Sequence, residues 1–233
     1  FAFLIALRAA EQVRTCVAYA RTNVKLVGAY GGLSDSKDGP THHSITDLAV
    51  MRAMPNMTVV VPADSVEAAA SVKAVAQHEG PVYLRLSRAE VPDVMPADYT
   101  FTIGKGRVVR EGDDVAIVNC GILLSRCLEA AKQLSAKGIE ATVVNMPTLK
   151  PLEELLLQAA GTGAIVTVEE HSIVGALAGA VAEVLGRRRP TPMRMVGIHD
   201  TFTETGPYGP LLDKWGMGVA DIVAAAEAAI TSR

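Results

Sequence analysis

The stretch NVKLVGAYGGLSDSKDGPTHHSITDLAVMRAMPNMTVVVPAD, Asn23–Asp64, decides the fold. It opens on a β-branched run, Asn23–Tyr30, and crosses a loop of glycines, acids and paired histidines, Gly31–Thr46. It then enters an apolar helical pattern over Ile45–Ala53 and leaves through a second β-branched run, Met57–Ala63. Strand, helix and strand in so short a span make a parallel βαβ unit. A further helical pattern, Ser65–His78, leads to a third run, Pro81–Ser87. The opening FAFLIALRAA has no basic region before it and is interrupted by Arg8, so it reads as a helix start and not as a signal peptide. A first residue that is Phe, set at once in buried-type sequence, reads as a chain cut from a longer polypeptide.

Downstream, Arg88–Tyr99 carries Pro92 and Pro96 without apolar periodicity and reads as a linker. With the boundary near Asp93, the expected domains are residues 1–92 and 93–233. The second opens with an expected β-hairpin turning at Gly112 and Asp113 and feeding a strand from Val115. Strands are expected at Asp114–Cys120, Glu140–Met146, Ala164–Glu170 and Met193–Asp200, separated by Ala/Leu-rich helices; Gly138 stands where a helix stop belongs. The fold class is therefore α/β, two domains, each a mostly parallel sheet flanked by helices.

Composition narrows the function. Hydrophobic residues at 49% and charged ones at 20% exclude a disordered chain, and no apolar run reaches the roughly 20 residues of a membrane span. A net charge of -3 gives no field for nucleic acid. Three cysteines without a CxxC spacing signal neither a disulfide framework nor a zinc site, and fit a reducing, cytoplasmic setting.

Ligands of an open parallel sheet gather outside the carboxyl ends of its strands. That rule selects Tyr30 and the loop after it, Pro62–Asp64, and Ser87–Arg88, bringing Asp38, His42 and Arg88 to one edge. Ser44 followed by Asp47 resembles a capping box, placing His42 and His43 before a helix N-terminus, where the dipole depresses an imidazole's pKa. Two readings stay open on local physics: a capped turn with solvated histidines, or a loop that handles a ligand. Arg88 is either a surface ion-pair residue or a fork for a phosphate. Glu169, Glu170, His171, His199 and Asp200 also lie at strand ends, without metal-ligand spacing. Gly175 and Gly179 read as close helix packing.

DGPTH at Asp38–His42, Met51–Asp64 and LRLSR at Leu84–Arg88 resemble the pyrimidine-binding domain of transketolases. Gly104–Gly121, NMPTLKPL at Asn145–Leu152 and VTVEEHSIVGALAGAV at Val166–Val181 resemble the transketolase C-terminal domain. Together they are most similar to the small subunit of split bacterial transketolases. The resemblance implies a thiamine diphosphate enzyme moving a two-carbon ketol unit between sugar phosphates. It gives His42 a proton-transfer role, Asp38 a sugar hydroxyl and Arg88 the substrate phosphate. Phe1 falls at one aromatic position of the aminopyrimidine pocket, and the second falls at Leu4 or Ile5. Tyr30 stands where the family has a histidine that meets substrate; a phenol hydrogen-bonds but does not exchange protons near neutral pH.

The family's cofactor-activating glutamate lies upstream of Phe1, and this sequence has no GDG motif for Mg2+ and diphosphate. The resemblance thus implies a diphosphate-binding N-terminal subunit as partner, holding most of the Mg2+ site, and self-association as α2β2. Two alternatives are a 1-deoxyxylulose-5-phosphate synthase-like or 2-oxo acid dehydrogenase E1β-like chain, and a catalytically degenerate binding paralogue.

Overall fold

The structure, a computed structural model, describes residues 1–152 and 155–233. The first half begins with a helical segment, α1 (residues 4–19), containing π-helical turns at Leu4–Arg8 and Val13–Tyr19. It continues with β1 (Lys25–Gly28), α2 (Asp47–Ala53), β2 (Thr58–Val60), α3 (Ser65–Gln77) and β3 (Val82–Arg85). The second half carries β4 (Arg107–Arg110), β5 (Val115–Cys120), α4 (Leu124–Ser135), β6 (Ala141–Asn145), β7 (Thr148–Lys150) and α5 (Leu155–Ala159). It closes with β8 (Ile165–Ser172), α6 (Leu177–Arg188), β9 (Met193–Ile198), α7 (Tyr208–Lys214) and α8 (Val219–Ile230).

Two mostly parallel sheets result, in the orders β1-β3-β2-β7 and β4-β6-β5-β8-β9. The β-branched runs form strands because they are buried on both faces: every residue of β2, β3, β5 and β6 is buried. Helix α3 starts at Asp64, whose Oδ1 accepts the Glu67 N–H at 2.8 Å. Its Oδ2 accepts the Val94 and Met95 N–H groups, each at 2.7 Å, tying down the segment between the sheets.

Two expectations fail, and one strand is unforeseen. The hairpin does not form: β4 runs antiparallel to β6, and β6 separates it from β5. The chain after β4 is drawn to the start of β6, where Arg110 donates to the Ala141 carbonyl at 2.6 Å and Gly112 N–H to Thr142 Oγ1 at 3.0 Å. A Cβ on Gly112 would stand 2.6 Å from the Ala141 carbonyl carbon, so that crossing needs glycine. The capping box is also absent. Helix α2 begins at Asp47 with Thr46 as its uncapped first neighbour, because the Asp47 carboxylate points inward to Tyr83 and Arg85. Finally β7, bounded by Pro147 and Pro151, was not expected as a strand; it leaves the second half to pair antiparallel with β2.

The halves share their interior. Leu33 and Ile45, from the loop after β1, lie in the apolar cluster of β5, α4, β8 and α8. Leu48, Met51 and Val59 pack with Ala116, Val118 and Val144 from the other sheet. On the same junction Asn145 donates to both oxygens of buried Glu67, each at 2.9 Å. Arg52 forks to Glu183 at 2.9 and 2.7 Å and donates to the Gly175 carbonyl at 2.7 Å. Gly175 has φ 87° and faces the Ala49 side chain, where an added Cβ would sit 2.8 Å from the Ala49 Cβ. The close packing expected of Gly175 is thus packing onto α2.

At the centre of the junction lies Arg85, 5% exposed. Its Nε is 3.1 Å from Asp47 Oδ2, and Nη2 donates to the Ser44 and Glu170 carbonyls at 3.0 and 2.9 Å. Tyr83 donates to the same Asp47 Oδ2 at 2.7 Å. Truncation would leave buried Asp47 without its cation. Arg85→Met should therefore lower the unfolding free energy by about 3–5 kcal/mol, read as a lower urea midpoint.

Candidate active site

Strands β1, β2 and β3 are mutually parallel, so their carboxyl ends form one edge. Beyond β1 the chain passes Tyr30, a non-glycine residue at φ 60°, in a left-handed conformation that costs about 1–2 kcal/mol. The loop is then closed at its base: Gly32 N–H donates to the Ser44 carbonyl at 3.0 Å and Ser44 N–H to the Gly32 carbonyl at 2.9 Å. Gly31 seats directly on the Arg85 guanidinium, where a Cβ would come within 2.4 Å of Nε. The loop tip is held from the second domain, with Gly206 N–H donating to the Ser36 carbonyl at 3.1 Å.

The rings gather at this edge. Phe1 stacks on Tyr30, centroids 4.9 Å apart and planes 27° from parallel. His42 meets Phe1 and Phe3 edge-on at 5.5 and 5.4 Å. Arg88 lies over the other end of the group, its Cζ 5.2 Å from the Tyr30 centroid. Phe1 remains 44% exposed, leaving ring area for a flat ligand. The second ring beside Phe1 is Phe3. Leu4 is half-buried next to it, and Ile5 packs against the apolar core with Leu48 and Met51.

The two histidines separate. His42 is half-buried, its Nδ1 3.0 Å from Thr41 Oγ1. His43 is buried, its Nδ1 2.6 Å from Thr203 Oγ1 of the second domain. Burial pushes the His43 pKa down against the pull of Asp35. Its role is to dock the loop, and the solvated reading of it does not hold.

Arg88 donates Nη1 to buried Asp35 Oδ1 at 2.8 Å, while its side chain stays half exposed. Beside it opens a cleft of about 410 Å³ lined by Ser34, Ser36, Lys37, Arg88, Glu90 and Tyr208. Asp38 stands exposed at the loop tip, outside the ring group.

Behind the loop lie the acids of β8. Glu169 Oε2 and Oε1 accept the Leu177 and Ala178 N–H groups, each at 2.8 Å, and so cap α6. Glu170 Oε1 accepts Leu33 N–H at 2.7 Å. His199 and Asp200 are exposed, apart from these acids, and no three metal-ligating side chains converge among the described residues. Burial pushes Glu169 and Glu170 up to about 7, with Arg85 drawing both back, and pushes His171 down to about 4.

The carboxyl edge of a parallel sheet thus carries rings, an imidazole and a guanidinium, with loops of both domains around them. The comparisons supply the family. Residues 1–94 match the transketolase pyrimidine binding domain and residues 104–222 the transketolase C-terminal domain. The chain belongs to the transketolase family. It is 42% identical over 221 residues to the 6-deoxy-6-sulfo-D-fructose transketolase subunit SqwH of Clostridium sp. strain MSTE9, covering 94% of this chain and 69% of that protein. It is 41% identical over 203 residues to 1-deoxy-D-xylulose-5-phosphate synthase 1 of Geobacter sulfurreducens, covering 84% of this chain and 32% of that one. Among solved structures it resembles a split gene transketolase described as an inactive beta4 tetramer. That match has TM-score 0.93 and 48% identity, and covers 99% of this chain and 75% of the other.

Glu170 also sets a pH dependence. With its folded pKa raised to about 7 from the ordinary 4.5, the folded chain holds a proton that the unfolded chain releases between those values. Its contribution is therefore greatest below pH 4.5 and is lost as pH rises through 7. His171 acts oppositely, losing stability as pH falls from 6.5 through about 4. Thermal melts should show the Tm of Glu170→Gln gaining on the parent as pH rises from about 5 to 7.

Proposed function

We propose that this chain is the small subunit of a thiamine diphosphate-dependent transketolase, transferring a two-carbon ketol unit from a ketose phosphate to an aldose phosphate. The observation that carries the reading is the group Phe1, Phe3, Tyr30, His42 and Arg88 on one sheet edge, in a chain similar to transketolase subunits. The partly exposed Phe1, stacked on Tyr30, fits the flat aminopyrimidine, with Phe3 supplying the second ring and Leu4 adjoining it. Ile5 supports these rings from the core side. When bound, thiamine diphosphate supplies the carbon nucleophile of the reaction.

His42 holds Nδ1 toward Thr41, so Nε2 is the atom that binds substrate oxygen and moves its proton. Tyr30 and Asp38 contact substrate hydroxyls. Arg88, with one nitrogen spent on Asp35, offers the rest of its fork to the phosphate. Lys37 adds a second cation to that cleft and Glu90 a counter-charge, so selection of the substrate's anionic end falls to the directed nitrogens of Arg88. The diphosphate and Mg2+ fall to an N-terminal partner subunit. The names of the SqwH subunit and the split gene tetramer support that division and self-association, with α2β2 as the working assembly.

The test is to combine the chain with the diphosphate-binding subunit, thiamine diphosphate and Mg2+, and assay sugar phosphates. Ketol transfer supports the proposal. Decarboxylation of pyruvate instead favours the synthase reading, for which the Geobacter relative is the supporting observation. A stable but silent complex indicates a binding paralogue.

In the active assembly His42→Ala should lower kcat about 10²-fold or more, measured at saturating substrate; an unchanged kcat removes the proton-transfer role. Arg88→Ala should raise KM for phosphorylated substrates by losing a charged hydrogen bond worth about 1.5–3 kcal/mol, and should spare unphosphorylated ones. Equal losses on both classes would rule out the phosphate contact.

A further inference from the structure

The loop that carries Asp38 and His42 belongs to the first domain, yet its base is gripped from the second. Glu170, 2% exposed, accepts Leu33 N–H through Oε1 at 2.7 Å. The same carboxyl fills the space that a Gly32 side chain would need, 2.3–2.6 Å from an ideal Cβ. Its own carbonyl takes Arg85 Nη2, the donor that also holds the Ser44 carbonyl at the far foot of the loop. Two residues on, Ser172 N–H donates to the Ile45 carbonyl at 2.9 Å. Leu33 and Ile45, flanking the two feet, are buried in the second domain's core.

From this geometry we infer that Glu170 is a positioning residue for catalysis: by holding Leu33 it fixes the loop base, and through it the orientation of His42 against Phe1 and Phe3. Glu170 touches none of those rings. A hydrogen bond to a buried backbone N–H has no substitute from water, so losing the acceptor frees the foot of the loop. Glutamine keeps the needed oxygen. Its amide would occupy the place of Glu170 Oε2, on a carboxyl whose other neighbour is the Tyr208 hydroxyl, a group that can accept a hydrogen bond from it.

The activity arm of the test rests on the ketol-transfer reading, while the exchange arm does not. In the full chain, amide hydrogen exchange at Leu33 should rise roughly tenfold or more in Glu170→Ala and stay near the parent rate in Glu170→Gln. In the assembly with the diphosphate-binding subunit, Glu170→Ala should lower kcat about tenfold with KM little changed, and Gln should restore it. An Ala variant with unchanged Leu33 exchange overturns the inference. So does one that melts lower but keeps the parent kcat well below its Tm. If wild-type assembly shows no ketol transfer, the functional reading fails and the exchange result still decides the positioning. Should Glu170→Ala not fold, Gly32→Ala replaces it, since its Cβ pushes the carboxyl off Leu33 from the other side. The same rise in Leu33 exchange is expected there, and its absence is equally fatal.

Discussion

Everything near the site depends on one buried guanidinium. Removing Arg85 from water costs several kcal/mol, and that cost is offset only where its donors are matched and a counter-charge is close. Asp47 supplies the charge, the Ser44 and Glu170 carbonyls take Nη2, and Tyr83 shares the Asp47 oxygen. The cation stands on β3, and its partners come from α2, the loop after β1, and β8. Such a requirement cannot be met by either domain alone, so satisfying Arg85 fixes how the domains meet. It also dictates glycine at position 31, where any Cβ would collide with the guanidinium.

The site follows from that constraint. A loop whose feet are locked by Arg85, Glu170 and two core side chains leaves only its tip in contact with solvent. The backbone strain sits at the first foot: Tyr30, immediately before Gly31, is left-handed, with Phe1 stacked on it and Arg88 over its ring. Rigid feet and an exposed tip are the arrangement a positioned imidazole requires, since misplacement by about 1 Å can cost 100-fold in rate.

Much of this was legible in the sequence, for a definable reason. Strands β2, β3, β5, β6 and β8 announce themselves as apolar runs because burial on both faces removes polar alternation; the edge strands β1 and β9 are only partly buried and are legible from their flanking helices, which force parallel pairing. The strand-end rule then brought His42 and Arg88 to one edge. What failed depends on partners distant in sequence. Ser44 and Asp47 have the spacing of a capping box, but the Ser44 N–H is already given to the Gly32 carbonyl and the Asp47 carboxylate to Tyr83 and Arg85. The hairpin was misread because β4 pairs with β6, a choice made across the sheet. The ring that neighbours Phe1 and His42 in this segment is Phe3, one and two residues before the expected Leu4 and Ile5. The i→i+5 turn that joins Ala9 N–H to the Leu4 carbonyl at 3.0 Å shifts the phase of the helix, turning Ile5 to the core. Thr203 and Glu170 hold the loop from 160 and 137 residues away: Thr203 carries no local signal, and Glu170 shows in the sequence only as a strand-end acid, without its partner Leu33.

The charge pattern around Arg88 bears on specificity within the proposed reaction. Its guanidinium is already half matched by Asp35, and Lys37 across the cleft is countered by Glu90. Formal charges there sum to about zero, so no strong general anion field exists, and selection rests on the directed nitrogens that Asp35 leaves free. A guanidinium held by a buried carboxylate is oriented in advance, which lowers the entropy lost when it forks to a ligand. The ring group, by contrast, offers area without direction. In the proposed reaction, cofactor binding and substrate choice would rest on different physics on one edge: dispersion and stacking at Phe1 and Phe3, aimed hydrogen bonds at Arg88. Changes at Lys37 or Glu90 can then retune the substrate's anionic end while the rings that face the cofactor stay fixed.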